Sequence, residues 1–490
     1  MAGEIPLGEF RPDISDLDAK SLVALDNVIP RLDGYGPIQE YENFTEALPE
    51  ACRGYFYARN NDGSVSIFAG TEDKLYKLDN TDFSWDDVSL GAGTYAALSS
   101  TSQWQFAQFN NFVFATQAND VVQVWDLTSS TEFDDLAGNP PQAAYISIIN
   151  RFVVLSGLLS QPYRVHWSGL NDTTEWTAGT NFCDFQDLPD GGIVRGVAGG
   201  EYGLIMQDQS IRRMIYSPGS EFVFQIDRVA QDRGLLAPYS LVPAGERMFF
   251  LSAQGFIKSD ASGQLEPIGA ERVDRTFLAD YDSASPQLMI GAADPTRKTV
   301  VWAYRSINTG VEGFFDRLII YDWALNRWSM ASQQGEYMAS LSRPGLTLEG
   351  LDSITTDLDS LPFSLDSIST ATLPALSVAG TEHKIGFFSG LNRAAFVETG
   401  EYSQAPYRTI VNGITPISDT DEITVSTGGR ETLNSMEQPV YSDETELNED
   451  GFAPVLDEGR YIRARFTLPA GATWKFIRGF IPEFMKGSRL

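Results

Sequence analysis

An apolar strand pattern recurs six times between residues 51 and 334 of the 490-residue chain. Each copy begins with an alternating segment and a polar turn such as Asn110–Asn111 or Asn150–Arg151, continues through a short apolar segment, and ends in an aromatic residue or Asp. The spacing of about 40 to 50 residues is typical of four-stranded propeller blades. One small sheet cannot cover both of its faces, so such copies bury their apolar surface by stacking. The pattern predicts an all-β fold with an irregular β-propeller of about six blades. The apolar second strands are centred on Phe68, Phe114, Val154, Ile205, Phe250 and Val301.

The clearest copy lies between Asp316 and Trp328. Its apolar run Leu318–Tyr321 has the residue types of a strand. Asp322 then precedes a short turn, and Trp328 stands on the returning segment. This order predicts one hairpin of a blade, with the tryptophan packed onto it. The copies are irregular in length, so a pair of β-sandwiches or an open β-array remains an alternative.

The charge balance limits the partners that the chain can bind. Its net charge is −31, from 35 Lys and Arg against 66 Asp and Glu. Solubility is the simplest explanation of this charge. Tight DNA binding needs a basic groove, and the sequence contains no cluster of Lys and Arg that predicts one. An acidic wall is compatible with double-stranded DNA that passes through without sequence-specific binding.

Catalytic and metal-binding patterns are missing from the sequence. The two cysteines, Cys52 and Cys183, and the two histidines, His166 and His383, lack the spacing of zinc ligands. No Gly-x-Ser-x-Gly motif marks a nucleophile. We therefore expect no catalytic residue, no metal and no cofactor, and we expect a protein that is not an enzyme.

The N-terminal residues and the apolar runs bear on where the protein is expected to act. The N-terminus lacks the basic start and apolar core of a signal peptide. No run approaches the roughly 20 apolar residues that cross a bilayer. We expect synthesis in a reducing cytoplasm and no membrane insertion.

Three segments flank the repeats. Residues 1–50 contain prolines at spacings that predict an extended N-terminal arm. Residues 335–378 repeat a Leu-Asp-Ser unit, which predicts either a flexible linker or a loop in contact with a neighbouring subunit or an adaptor protein. Residues 379–490 predict a second β-rich domain. In the contact interpretation of the loop, the anchoring residues are Leu361, Pro362, Phe363 and Leu365.

Two hairpins are predicted in the C-terminal part. Lys384–Gly390 is expected to pair with Ala394–Thr399, and Gly459–Pro469 with Thr473–Ile481. Three arginines of the second hairpin, Arg460, Arg463 and Arg465, stand out in an acidic chain. Such residues more often pair with carboxylates at an interface than bind phosphate.

Several stretches resemble one family, the tail nozzle proteins of short-tailed bacteriophages, which are also called tail tubular or packaged-DNA stabilisation proteins. The order of the stretches along the chain carries the resemblance. They are Asp26–Arg31, Gly34–Pro37, Arg233–Ser240, Phe249–Ser252 with Gly255, Pro267–Gly269, Val273–Asp274, Asp294–Pro295 with Lys298, Leu361–Ser367, His383–Gly390, and Gly459–Tyr461 with Trp474.

The resemblance implies a structural protein of the virion, located in the viral tail. Such proteins form a homo-oligomer, usually a homohexameric ring, below the portal and adaptor (head–tail connector) rings and beside other tail proteins. The ring continues the tail tube, retains packaged DNA and conducts it during DNA ejection. The resemblance further implies that residues 1–50 and 335–490 build the ring while residues 51–334 form the propeller. Two alternatives stay open from the residues themselves: a carbohydrate-binding or glycan-cleaving propeller, and a scaffold propeller that binds peptides.

Overall fold

The computed structural model describes residues 3–14, 17, 20–260, 263–343, 374–433 and 439–489. Within these ranges the chain is almost entirely β, which confirms the predicted fold class. Seven of the sheets are four-stranded and antiparallel, and two have six strands. The one α-helix of the described ranges is α1, Asp274–Asp280, and no helix there is long and apolar enough to cross a membrane.

The arm contributes five strands before the propeller begins. In chain order they are β1 Ile5–Pro6, β2 Leu22–Asp26, β3 Val28–Arg31, β4 Gly34–Pro37 and β5 Gln39–Asn43.

Six blades follow in sequence, each a sheet of four consecutive strands. Blade 1 contains β6 Tyr55–Arg59, β7 Val65–Gly70, β8 Leu75–Leu78 and β9 Trp85–Asp87; blade 2 contains β10 Gln105–Phe109, β11 Phe112–Thr116, β12 Gln123–Asp126 and β13 Asp134–Asp135; blade 3 contains β14 Ala143–Ile149, β15 Phe152–Leu158, β16 Arg164–Trp167 and β17 Asp184–Asp187. Blade 4 contains β18 Val194–Gly199, β19 Tyr202–Gln207, β20 Ser210–Tyr216 and β21 Phe224–Gln231; blade 5 contains β22 Val242–Ala244, β23 Arg247–Ser252, β24 Gly255–Asp260 and β25 Leu265–Pro267; blade 6 contains β26 Ile290–Asp294, β27 Thr299–Tyr304, β28 Phe315–Asp322 and β29 Arg327–Gly335. Short 3₁₀ turns occur at Leu90–Ala92, Pro189–Gly191, Pro238–Ser240 and Pro286–Leu288.

All six predicted apolar segments are second strands of blades, β7, β11, β15, β19, β23 and β27. The turns between the first and second strands explain how these strands pair. Asn110 and Asn150 have φ of 53° and 54°, a conformation that asparagine tolerates better than most residues, and each begins a two-residue hairpin loop. The local sequence therefore determines these hairpins.

The hairpin at Asp316–Trp328 also forms as predicted, from β28 and β29. The Asp322 carboxylate accepts hydrogen bonds of 2.8 Å from the amides of Ala324 and Leu325, which closes the turn. Trp328 is fully buried, and its indole N–H donates to the Ile268 carbonyl of the neighbouring blade at 3.1 Å.

A seventh blade corrects the expectation of about six. It combines β30 Tyr337–Leu341, β31 Ala375–Ala379 and β32 Ile385–Asn392 with β5 from the N-terminal arm. In the described chain the first strands of the seven blades contact one another in a closed cycle, because β30 touches both β26 and β6. Closure by a strand from the other end of the chain leaves the ring of blades without an open edge.

The predicted boundaries at residues 50, 334 and 378 therefore differ from the structure. Residues 39–43 were expected in the arm, and residues 337–341 in the loop, yet both belong to blade 7. The same holds for residues 385–392 of the expected C-terminal domain. Blade 7 was missed because its strands are not consecutive and do not repeat at the blade spacing.

The rest of the chain forms a second body, which we call the base: strands β1–β4 together with β33–β40. One six-stranded sheet has the order β3-β4-β40-β34-β38 with β1 on β40, and the other has the order β2-β33-β39-β35-β36 with β37 on β35. The two sheets pack on each other, and the rings of Phe466 and Phe480 meet with centroids 5.3 Å apart. The C-terminal strands are β33 Ala395–Thr399, β34 Tyr407–Ser418, β35 Thr424–Arg430, β36 Val440–Tyr441, β37 Thr445–Glu446, β38 Asp457–Gly459, β39 Tyr461–Leu468 and β40 Ile477–Arg489.

Both predicted C-terminal hairpins are wrong. β32 and β33 belong to blade 7 and to the base, so the chain leaves the propeller between them. β39 pairs with β33 and β35, while β40 pairs with β34, β4 and β1. Each strand found a partner distant in sequence, which local pattern does not specify.

Candidate assembly surface

The predicted contact residues fall into two groups. Leu361, Pro362, Phe363 and Leu365 lie outside the described residues. Arg460 directly precedes β39, and Arg463 and Arg465 lie on that strand. β39 is an inner strand of the base, between β33 and β35, so neither of its hydrogen-bonding edges is open.

Arg463 is an internal residue and not a surface contact. Its side chain is 8% exposed, and its guanidinium donates to Glu398 at 3.1 Å and to Glu401 at 3.2 Å. Arg430 of β35 also forms an ion pair with Glu401. The strand pattern correctly indicated a carboxylate partner, but the partners are in the same chain.

Arg465 extends this network toward the surface. It donates to Glu398 through Nη2 at 2.8 Å and through Nε at 3.2 Å. Its guanidinium also lies over the rings of Tyr441 at 4.4 Å and Phe396 at 5.2 Å. Burial and the neighbouring Glu398 raise the pKa of Tyr441, so its hydroxyl stays protonated. We call Glu398, Glu401, Arg430, Arg463 and Arg465 the Arg–Glu cluster.

The Arg–Glu cluster joins three neighbouring strands of one sheet, β33, β39 and β35. A buried ion pair is stable only when every charge has a partner, and here three guanidinium groups face two carboxylates. The cluster is therefore structural. Sequence reasoning missed Glu398 and Glu401, whose only signal is a pair of carboxylates directly after the apolar residues of β33.

Arg460 differs from the other two arginines. It is exposed, and its guanidinium lies over the ring of Tyr461 at 5.4 Å. It is the most exposed of the three predicted arginines. It remains a candidate contact residue.

His383 belongs to the closure of the propeller. Its Nδ1 lies 2.6 Å from an oxygen of Glu336, and the second Glu336 oxygen accepts from the Cys52 amide at 2.7 Å. Burial raises the pKa of Glu336, while the Cys52 amide and His383 oppose that shift. The three residues connect the entrance of blade 1 to blade 7, which is a structural role.

His166 is also structural. It contacts the ring of Trp176 edge-on with centroids 5.6 Å apart, and the Cys183 sulfur lies 3.7 Å from its Nε2. Burial lowers the pKa of His166, so the ring is neutral near pH 7. Among the residues that the structure describes, no group of three or more His, Cys, Asp or Glu side chains is arranged to hold a metal ion.

A cleft of about 760 Å³ lies where the arm meets α1 and blade 6. Its acidic side chains already have partners. Asp13 accepts hydrogen bonds from the Arg275 and Thr276 amides at 2.7 and 2.8 Å, and Asp280 accepts from Ser306 Oγ at 2.6 Å. These bonds attach the arm to the propeller and do not present a reactive group.

Comparison with known proteins adds little to this geometry. No family model matches the chain, and no curated protein matches it. Solved structures with similar architecture include a chain of a mitotic checkpoint complex, with 10% identity, a TM-score of 0.38, and coverage of 74% of this chain and 98% of that one. The extracellular domain of a putative one-component system from B. thetaiotaomicron has 9% identity and a TM-score of 0.42, covering 82% of this chain and 47% of that one. The computationally designed Ika8 protein has 11% identity and a TM-score of 0.38, and the match covers 72% of this chain and 100% of that one. At these values the likeness carries no inference about function.

Proposed function

We propose that this chain is a structural virion protein, the nozzle of a short-tailed bacteriophage tail. In this role a ring of copies continues the portal–adaptor channel, retains packaged DNA and conducts it during ejection. The proposal begins from the resemblance stated above, and one structural observation supports it. The resembling stretches are far apart in sequence, yet many of them contribute to a single core.

That core lies between the base and blades 5 and 6. It contains Val28 and Tyr35 from the arm, Phe249 and Ile268 from blade 5, and Trp474 from the C-terminal segment, all buried. Residues that meet in one core have correlated requirements, which chance similarity of short motifs would not reproduce. The resemblance therefore concerns the junction that joins the two bodies of the molecule.

The electrostatics are compatible with a DNA conduit. A net charge of −31 gives little attraction for phosphate, so DNA can move past the protein without being held. A binding protein would need the opposite charge balance.

The test uses virus particles whose copy of this gene is disrupted. We expect them to lack the end of the tail and to lose packaged DNA, and we expect complementation with the intact chain to restore both. Negative-stain images of tails should then show a ring of this protein. Particles that keep a complete tail and a full genome without the chain would contradict the proposal.

Two tryptophans in the blade 3 segment give the carbohydrate-binding alternative no support. Sugar recognition uses exposed aromatic rings, whereas Trp167 and Trp176 are only 3% and 5% exposed. A glycan array combined with a reducing-sugar assay separates the alternatives, since a nozzle gives no signal in either.

A further inference from the structure

The base carries opposite charges at its two ends. β34 and β40 run antiparallel along its whole length, with Tyr407 opposite Arg489 at one end and Ser418 opposite Ile477 at the other. At about 3.3 Å per residue, the 12 residues of β34 separate these ends by roughly 35 Å. Charges at the two ends therefore act on different neighbours.

The end that contains Tyr407 is the basic end, which we define by Arg460, Lys486 and Arg489, all exposed. Sheet register places them together. Thr409 pairs with Gly459 on one side and with Lys486 on the other, and Arg489 lies two residue pairs away. Of the carboxylates near this end, Glu431 and Glu458 are already paired with Arg408, while the exposed Glu483 lies three residues before Lys486 on β40.

The opposite end is the acidic end, which we define by Asp421, Glu422, Glu444 and Glu446, all exposed. Asp421 and Glu422 lie in the connection from β34 to β35. Glu446 pairs with Thr424 at the start of β35, and Glu444 accepts a hydrogen bond of 2.9 Å from the Thr424 hydroxyl.

Two exposed cations, Arg478 and Lys475, also lie near the acidic end, opposite its four carboxylates. Arg478 forms an ion pair with Glu4 at 3.5 Å. Lys475 lies beside Asp419, whose carboxylate accepts the Lys475 amide at 2.9 Å. The four defining carboxylates remain in excess.

Exposed apolar side chains accompany the charges. Leu456, Met485 and Val440 at the basic end are 76%, 53% and 83% exposed. Ile410 of β34 pairs with Met485 on one side and with Glu458 on the other. Leu456 precedes Glu458 by two residues, so it lies close to Met485. Near the acidic end, Leu391 of β32 in blade 7 is 72% exposed, and its side chain lies beside Gly471 in the connection from β39 to β40. Grouped apolar side chains surrounded by charge are typical of protein contact surfaces.

We propose that the basic end of one copy docks on the acidic end of the next copy. The partner is a second copy of this chain, because each end presents the charge that the other lacks. A head-to-tail contact between two different ends of the molecule is heterologous, and it gives a closed ring when the rotation between copies closes. A two-fold contact could also place each basic end on an acidic end, but it would stop at a dimer. This inference rests on the proposed ring and identifies the surface that forms it.

The experiment uses variants that each carry one added, exposed cysteine, together with a flexible bismaleimide crosslinker. Leu456→Cys labels the basic end and Leu391→Cys the acidic end, while the native Cys52 and Cys183 are buried and do not compete. We expect an equimolar mixture to form covalent dimers, with a yield about tenfold above that of either variant alone. The double variant should give a ladder that ends at the ring size.

Charge exchange tests the same contact independently. Lys486→Glu with Arg489→Glu should abolish crosslinking to the acidic end, and Glu444→Lys with Glu446→Lys in the partner should restore it. Glu201→Lys with Glu221→Lys, two exposed positions on blade 4, is the matched control and should change nothing. Increasing salt should lower the yield for the native pair.

Equal yields from single variants and mixture, or no dimer in the mixture up to the highest concentration, would overturn the inference. Its failure is distinguishable from failure of the proposed function. If tails contain rings of this protein but the mixed variants do not crosslink, the docking surface is wrong and the nozzle proposal still stands. If the mixed variants crosslink but particles without the chain retain their DNA, the nozzle proposal is wrong and the docking surface still stands.

Discussion

The hydroxyl of Ser329 donates a hydrogen bond of 2.6 Å to the carbonyl of Val28, which lies 301 residues earlier in the chain. Both residues are fully buried. The bond joins the outermost strand of blade 6 to the arm, and the Ser332 amide adds a second contact, to the Asn27 side chain at 3.0 Å. The β28–β29 hairpin, whose sequence most clearly predicts a propeller blade, is therefore also the point at which the base attaches to the propeller.

Ser329→Ala tests this attachment. Val28 and Pro37 form a non-hydrogen-bonded pair, because the adjacent pair is bonded through the Ile38 amide and the Asn27 carbonyl. The Val28 carbonyl therefore points away from β4 and toward β29, where the Ser329 hydroxyl is its donor. We expect a loss of about 1–2 kcal/mol in the free energy of unfolding, measured by urea denaturation. Ser488→Ala, at an exposed position of β40, is the control and should have almost no effect. Equal effects of the two substitutions would argue against the attachment.

The Arg–Glu cluster predicts a large effect of Arg463→Ala. Arg463 bridges Glu398 and Glu401, and its removal deletes both hydrogen bonds, while Arg465 and Arg430 still pair with the two carboxylates. We expect a loss of about 1.5–3 kcal/mol in the unfolding free energy of the base. Arg460→Ala is the matched control beside the same strand, and we expect a change within about 0.5 kcal/mol. The two variants should separate clearly in thermal unfolding, and similar midpoints would refute an internal role for Arg463.

Asp274 predicts a dependence of stability on pH. Burial raises its pKa from 3.8 to about 6, although the carboxylate accepts the Phe256 amide at 3.0 Å. The folded chain therefore binds the proton more tightly than the unfolded chain. The stability that this group contributes is complete below pH 3.8 and is lost as the pH rises through about 6.

Asp274→Asn should remove that dependence. We expect the variant to exceed the native chain by about 1–2 kcal/mol at pH 7.5 and the difference to disappear near pH 4, in urea denaturation series. Asp86→Asn, an exposed position on β9, should show no such trend. A constant difference across the pH range would contradict the assignment.

Glu336 predicts a local effect at the closure of the propeller. Glu336→Ala removes the acceptor of the Cys52 amide and the partner of His383, whereas Glu336→Gln keeps an acceptor. We expect hydrogen exchange in β6 and β30 to accelerate in the alanine variant and less in the glutamine variant. Blade 4, which does not touch this junction, provides the internal reference. Uniform acceleration in all blades would indicate general destabilisation instead.

Local sequence predicted the parts of the fold that local chemistry controls. The second strands around Phe68 and Val301 follow from short apolar runs that are buried on both faces, and the turn at Asp322 follows from a carboxylate that caps neighbouring amides. These interactions span a few residues, so their pattern is visible without any knowledge of distant parts of the chain. The all-β fold and the propeller follow from the repetition of such units.

The tertiary structure decided what those local units pair with. Gln39–Asn43 completes blade 7 beside a strand more than 300 residues away, which a repeat search does not detect because the strands are not consecutive. The alternation of β39 predicted that Arg463 and Arg465 share a face, yet only the fold placed Glu398 and Glu401 against them. A strand pattern specifies the direction of each side chain, and long-range packing specifies what covers it.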